Sequence, residues 1–220
     1  HFRHFNGSRP SVDKDKPQIL IHAYLKRDEL TVSLDLTGYS LHQRGYRAHA
    51  GSAPLKENVA AALLVRARWP ERLAEGFSLY DPFCGAGTLV IEAALMAANR
   101  APGLLRDDQS LKHWTQHQPA VWEQVRAEAK AAARPVSLTL AGSDEDAKLV
   151  AIARSNAELA GVADLVRFQV KAVGDILEAP APQGLLVANP PYGERLGDPA
   201  GLVPVYQQLG QLMANHFNGW

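Results

Sequence analysis

The hydrophobic pattern of this chain changes character near residue 77. Upstream, residues 18–25 and 29–36 alternate apolar and polar positions around Lys26, Arg27 and Asp28, which predicts an antiparallel hairpin. Pro54 suits the first position of a helix, predicted to run to Trp69 and to be stopped by Pro70. From Phe77 onward, strand-like and helix-like stretches take turns. Residues 77–80, 136–140, 165–170 and 185–188 read as strands, and residues 89–98, 146–160 and 201–217 as helices. The last helix gathers Leu202, Val205, Tyr206, Leu209, Leu212, Met213 and Phe217 on one face. Such alternation predicts an α/β fold with a parallel sheet. Residues 101–134, with Trp114 and Trp122, interrupt it and are expected to pack as an inserted helix pair.

A length of 220 residues fits one domain plus part of another, with the boundary placed between residues 1–45 and 46–220. No run of 18 apolar residues and no signal-peptide pattern is present, which makes the cytoplasm the expected compartment. Cys84 is the only cysteine, so no disulfide forms within the chain, and it is expected to pack as a small buried residue. His113 and His117 have the spacing of metal ligands on a helix but lack a third ligand, so no metal site is expected. The net charge is zero, which argues against a strongly basic nucleic-acid binder. Residues 1–50 nevertheless hold eight Lys/Arg against five Asp/Glu. Arg3, His4, Arg9, Lys14, Lys16, Arg44 and Arg47 are candidates for phosphate contact, with a solvated face as the alternative for each.

The chemistry concentrates at the ends of the predicted strands. Asp81-Pro82-Phe83-Cys84-Gly85-Ala86-Gly87-Thr88 forms a strand-to-helix glycine turn. Gly85 and Gly87 permit positive φ and a close approach of ligand to backbone. The free N–H groups of the following helix favour an anionic or polar ligand end. The third glycine of the dinucleotide fingerprint and the Lys of a P-loop are both missing. The turn therefore points to S-adenosylmethionine (AdoMet), with Asp81, Phe83, Gly85, Gly87 and Thr88 around its methionyl end. Asp144, at the tip of the second strand, is placed to accept the ribose hydroxyls. Its competing role is a helix cap, shared with Ser143 and Asp146. Asp175 follows the third strand and is placed for the adenine amino group beside Ile176, or else is a surface loop residue.

Asn189-Pro190-Pro191-Tyr192 ends the fourth strand. The Asn189 oxygen and the Pro190 carbonyl can accept both N–H bonds of an exocyclic amine and stabilise the charge that develops on it. The prolines stiffen the turn, and Tyr192 offers a ring for stacking on a base. The same pocket suits a guanine N2, an adenine N6 or a glutamine amide.

The segments DPFCGAGTLVIEAA and NPPYGERLG resemble the bacterial ribosomal RNA guanine-N2 methyltransferases that carry a THUMP RNA-binding domain, above all those acting on large-subunit (23S) RNA. Leu36-Thr37-Gly38, Arg44-Gly45-Tyr46-Arg47 and Ala53-Pro54-Leu55-Lys56-Glu57 extend the resemblance upstream. It implies a Rossmann-like class I AdoMet methyltransferase domain after the tail of a THUMP-like domain, with 23S ribosomal RNA as substrate. It also implies that Pro54, Leu55 and Glu57 help to close the cofactor pocket. In that family a complete THUMP module precedes this region and three more strands follow it. The expectation is therefore a sheet incomplete at the C-terminus, weak cofactor binding, little turnover and self-association. A non-catalytic RNA-binding fragment is the remaining alternative.

Overall fold

The computed structural model describes residues 4, 7, 12–15, 17–47, 55–106, 110–192 and 199–220. These fall into two units, 1–41 with 107–125, and 42–106 with 126–220.

In the first unit β1 (Leu20–Lys26) pairs antiparallel with β2 (Glu29–Asp35), from Leu20 opposite Asp35 to Lys26 opposite Glu29. Arg27 and Asp28 close the turn at φ 48° and 65°, the left-handed conformation that a two-residue hairpin turn requires. The register gathers Ile21, Ala23, Leu25, Leu30, Val32 and Leu34 on one face, and every residue of both strands but Asp35 is exposed. The expected helix pair over 101–134 is instead one helix, α4 (Pro119–Ala131), preceded by 3-10 turns at Pro102–Leu105 and Ser110–His113.

The second unit holds a four-stranded parallel sheet in the order β5-β4-β3-β6. The strands are β3 (Ser78–Asp81), β4 (Leu140–Asp144), β5 (Val166–Val170) and β6 (Gly184–Leu186). The helices are α1 (Glu57–Arg66), α2 (Trp69–Ala74), α3 (Thr88–Ala97), α5 (Ala147–Leu159) and α6 (Pro199–His216). Alternation along the strands gives the sheet two cores. Leu79 and Leu140 face a cluster with Leu64, Trp69, Ile91, Val150 and Phe168. Their neighbours Tyr80 and Ala141 face the opposite cluster, with Val173, Ile176, Leu212 and Phe217. Helices α1, α2, α3 and α5 thus cover one face and α6 the other. The chain runs from β3 outward to β5 and then returns to the other side of β3. That reversal opens a crevice at the carboxyl ends of the strands, where open α/β sheets bind ligands.

Two boundaries differ from the sequence expectation. Pro70 does not end the first helix. Arg68 breaks it at φ 60°, and Pro70 sits in the first turn of α2, where its missing N–H costs nothing. The second strand lies at 140–144 rather than 136–140. Parallel pairing of Leu79 with Leu140 and Asp81 with Gly142 carries the ladder through a glycine that local propensity disfavours. A Cβ on Gly142 would stand 2.7 Å from the Cys84 Cβ, so packing against the glycine turn requires the glycine.

Candidate active site

A cavity of about 720 Å³ opens at the carboxyl ends of β3, β4 and β6. Asp81, Phe83, Gly85, Thr88, Leu55, Asp144, Asn189, Pro190 and Tyr192 all line it. Four elements and their loops thus bring nine of the sequence candidates to one space. Pro54 lies outside the described residues. Glu57 is buried behind the wall, where its carboxylate pairs with Arg47 at 3.6 Å. Asp175 is exposed in the 3-10 turn Val173–Asp175 and does not line the cavity, and Ile176 packs into the second core. Ala172 and Val173 form that part of the wall instead.

The two glycines of the turn serve different ends. A Cβ on Gly85 (φ 51°) meets nothing within 4 Å, so this glycine leaves open space beside the backbone. A Cβ on Gly87 (φ 83°) would stand 2.8 Å from the Phe168 ring and 2.9 Å from the Ala153 Cβ. Gly87 is therefore fixed by the packing of α3 on α5 and β5. It is also the N-cap of α3 and supplies no side-chain cap, which leaves the first N–H groups of the helix unclaimed by one.

Asp81 is 1% exposed and accepts the Phe83 N–H at 2.9 Å. Burial pushes its carboxyl up to about 7; the Phe83 N–H opposes this and the negative Asp144 adds to it. Asp144 accepts the Gly85 N–H at 2.9 Å through Oδ2 and the Asp146 N–H at 3.0 Å through Oδ1. Asp146 takes the capping role, accepting the Lys148 N–H at 2.8 Å. Each Asp144 oxygen keeps a second lone pair for a ligand hydroxyl. Burial raises the Cys84 thiol, with Asp81 adding to the rise, so Cys84 stays protonated in the wall.

Tyr192 is 63% exposed at the mouth, and the Tyr206 hydroxyl of α6 donates to the Pro191 carbonyl at 3.1 Å. Several contributors carry no local sequence signal. Val205 and Gln208 reach the cavity from α6. Asn156, buried in α5, donates through Nδ2 to the Ala86 carbonyl at 3.0 Å and so ties down the glycine turn. Arg44 and Arg47, read as phosphate candidates, are held inside the second unit. Arg44 forms a two-pronged pair with Glu92 at 3.0 and 3.1 Å, and Arg47 turns inward to Glu57. Long-range partners of this kind leave no periodic trace in a sequence. Among the described residues no group of three or more His, Cys, Asp or Glu is placed to hold a metal ion.

A parallel sheet in this order, with a glycine turn after the central strand and acids at the strand tips, is the fold of class I AdoMet-dependent methyltransferases. A putative methyltransferase, SMU.472, solved in complex with SAH, has this fold at TM-score 0.80 and 36% identity, over 97% of this chain and 55% of its own. Over residues 44–220 the chain matches the UPF0020 family, the RMKL-like methyltransferase domain, and it belongs to that family. It is 61% identical, over its whole length, to the ribosomal RNA large subunit methyltransferase K/L of Legionella pneumophila (strain Lens), and it spans 31% of that protein. A predicted N6-adenine-specific DNA methylase from Listeria monocytogenes str. 4b F2365 is 39% identical at TM-score 0.78, over 89% of this chain and 50% of its own.

Proposed function

We propose that this chain carries the cofactor and base pockets of an AdoMet-dependent N-methyltransferase acting on the N2 amine of a guanine in large-subunit ribosomal RNA. The carrying observation is that one cavity joins the glycine turn and Asp144 to Asn189, Pro190 and Tyr192. The walls fit the cofactor: open space beside Gly85, a buried carboxylate at Asp81 and helix N–H groups without a side-chain cap. Asp81 and the turn hold the methionyl end, Asp144 the ribose, and Leu149, Ala172 and Val173 face the adenine. The bound cofactor supplies an electrophilic methyl group on a sulfonium.

The protein's own contribution is to present a weak nucleophile. A guanine N2 lone pair is delocalised into the ring. The Asn189 oxygen and the Pro190 carbonyl accept its two N–H bonds, turn the lone pair toward the cofactor end and stabilise the positive charge that grows on nitrogen. Tyr192 stacks on the base, and Tyr206 holds the Pro-Pro turn through the Pro191 carbonyl. The nitrogen that gains the methyl group would then lose one proton to water at the open mouth of the cavity, since the Asn189 and Pro190 amide oxygens are too weakly basic to keep it. The similarity to the Legionella protein supports ribosomal RNA as substrate. We assign residues 1–45 to the end of a THUMP-like RNA-binding module and the reaction to the cytoplasm, where ribosomes are assembled in bacteria.

A second reading, adenine N6 methylation, draws on the similarity to the Listeria protein and on a pocket that suits either amine. Incubation with AdoMet and unmodified 23S RNA, followed by mass spectrometry of the nucleosides, separates the two. The expected product is N2-methylguanosine, lost in Asn189→Ala by roughly 10²–10³ in rate. N6-methyladenosine in its place selects the second reading.

A further inference from the structure

We propose that Arg47, outside the cavity, is a positioning residue that sets the Thr88 hydroxyl as a hydrogen-bond donor to the anionic end of the ligand; this rests on the AdoMet reading above. Arg47 Nη2 donates to Thr88 Oγ1 at 2.8 Å and to the Leu55 carbonyl at 2.7 Å. Both acceptors belong to residues that line the cavity, whereas Arg47 does not. Its Nε is buried without a hydrogen bond, 3.6 Å from the Glu57 carboxylate, and the side chain is only 15% exposed. A guanidinium that stays charged and is gripped at three points is a rigid fixture, which a flexible Lys would not reproduce.

The consequence lies in the chemistry of a hydroxyl. Thr88 Oγ1 has one proton and two lone pairs. With Arg47 donating to a lone pair, the hydroxyl proton is free to turn into the cavity. Thr88 is the first residue of α3, beside helix N–H groups that no side chain caps. A hydroxyl donor, free N–H groups and a nearby positive charge at one place favour a carboxylate. The ligand end selected is therefore the α-carboxylate of the amino-acid portion, and not the nucleoside.

Calorimetry on the chain with two ligands tests this. S-adenosylhomocysteine carries the amino-acid end, and 5′-methylthioadenosine lacks it. In Arg47→Met and in Thr88→Val, the affinity for the first should fall roughly tenfold, as for loss of one charge-assisted hydrogen bond, while that for the second stays within about twofold. Thr88→Ser should restore binding. The double variant should bind no more weakly than either single one, because both remove the same contact. If Arg47→Met fails to fold, Thr88→Val, which leaves the Arg47–Glu57 pair in place, must still show the selective loss. Equal weakening toward both ligands, or unchanged binding of S-adenosylhomocysteine, overturns the inference alone. Absence of binding to either ligand by the unsubstituted chain overturns the cofactor reading and the inference with it.

Discussion

With the role proposed for Asp81, a single buried carboxylate should make ligand binding and stability depend on pH in opposite senses. Asp81 is fully enclosed, and burial lifts its carboxyl from an ordinary value near 3.8 to about 7. Without ligand, the folded chain holds this proton more tightly than the unfolded chain does. The resulting stabilisation is complete below about pH 4 and is lost as pH rises through about 7. If Asp81 holds the ammonium of the methionyl end, as proposed, the ligand requires the carboxylate, so cofactor affinity should rise over the same interval. Asp81→Asn keeps an acceptor for the Phe83 N–H but cannot titrate. Its thermal midpoint without ligand should therefore change less between pH 5 and 8 than that of the unsubstituted chain, and its cofactor affinity should be weak at every pH. Melting curves and calorimetry across that range check both trends; parallel pH profiles for the two proteins would remove Asp81 as the titrating group. Asp81 and Asn189 were legible in the sequence because strand, acid and turn chemistry are contiguous there. The division of labour between Gly85 and Gly87 was not, because only the fold brings Phe168 and Ala153 against Gly87.

Helix α3 connects these residues to the rest of the unit. Its N-terminus faces the cavity, and one turn further along, buried Glu92 takes two hydrogen bonds from Arg44 and one from the Tyr46 hydroxyl at 3.0 Å. Burial raises the Glu92 carboxyl, and the Arg44 pair opposes that rise. The Arg-Gly-Tyr-Arg segment at 44–47 thus grips α3 at Glu92 and, through Arg47, at Thr88. Gly45 (φ 98°) permits the close passage, since a Cβ there would stand 2.5 Å from the Leu105 carbonyl oxygen. Breaking one partner of a buried pair leaves a charge uncompensated. Glu92→Gln, which keeps the shape and removes the charge, should therefore cost roughly 3 kcal/mol, at the lower end for such pairs because Arg44 is 15% exposed. Urea titration measures it, and a loss below about 1 kcal/mol would show the pair to be effectively solvated. Strands and helices of this unit were readable from period alone. This staple was not, since its partners stand about fifty residues apart, and neither was β4, whose position is dictated by pairing with β3 through Gly142.

At the scale of the whole molecule, charge limits how the chain could hold the RNA substrate proposed above. The first unit carries seven Lys/Arg and eight Asp/Glu, and the second sixteen and fifteen, so neither presents a strong positive field. Two of the arginines that gave residues 1–50 their basic surplus, Arg44 and Arg47, are committed to internal ion pairs. Phosphate neutralisation is therefore a small part of the affinity this chain can offer, and the base itself must supply more. In the proposed function, Tyr192, exposed beside Asn189, is the surface that would stack on it. The affinity for a single-stranded 23S fragment should fall only shallowly with salt, with a log–log slope weaker than about −2, since each neutralised phosphate contributes roughly −0.7. Tyr192→Ala should weaken binding by roughly five- to a hundredfold, the loss of about 1–3 kcal/mol of base stacking, whereas doubling the salt costs about fourfold or less. Fluorescence anisotropy across about 50–200 mM salt gives both quantities. A slope near −4 or steeper, with Tyr192→Ala unchanged, would mean that the chain holds RNA through phosphate contacts that its charge distribution does not reveal.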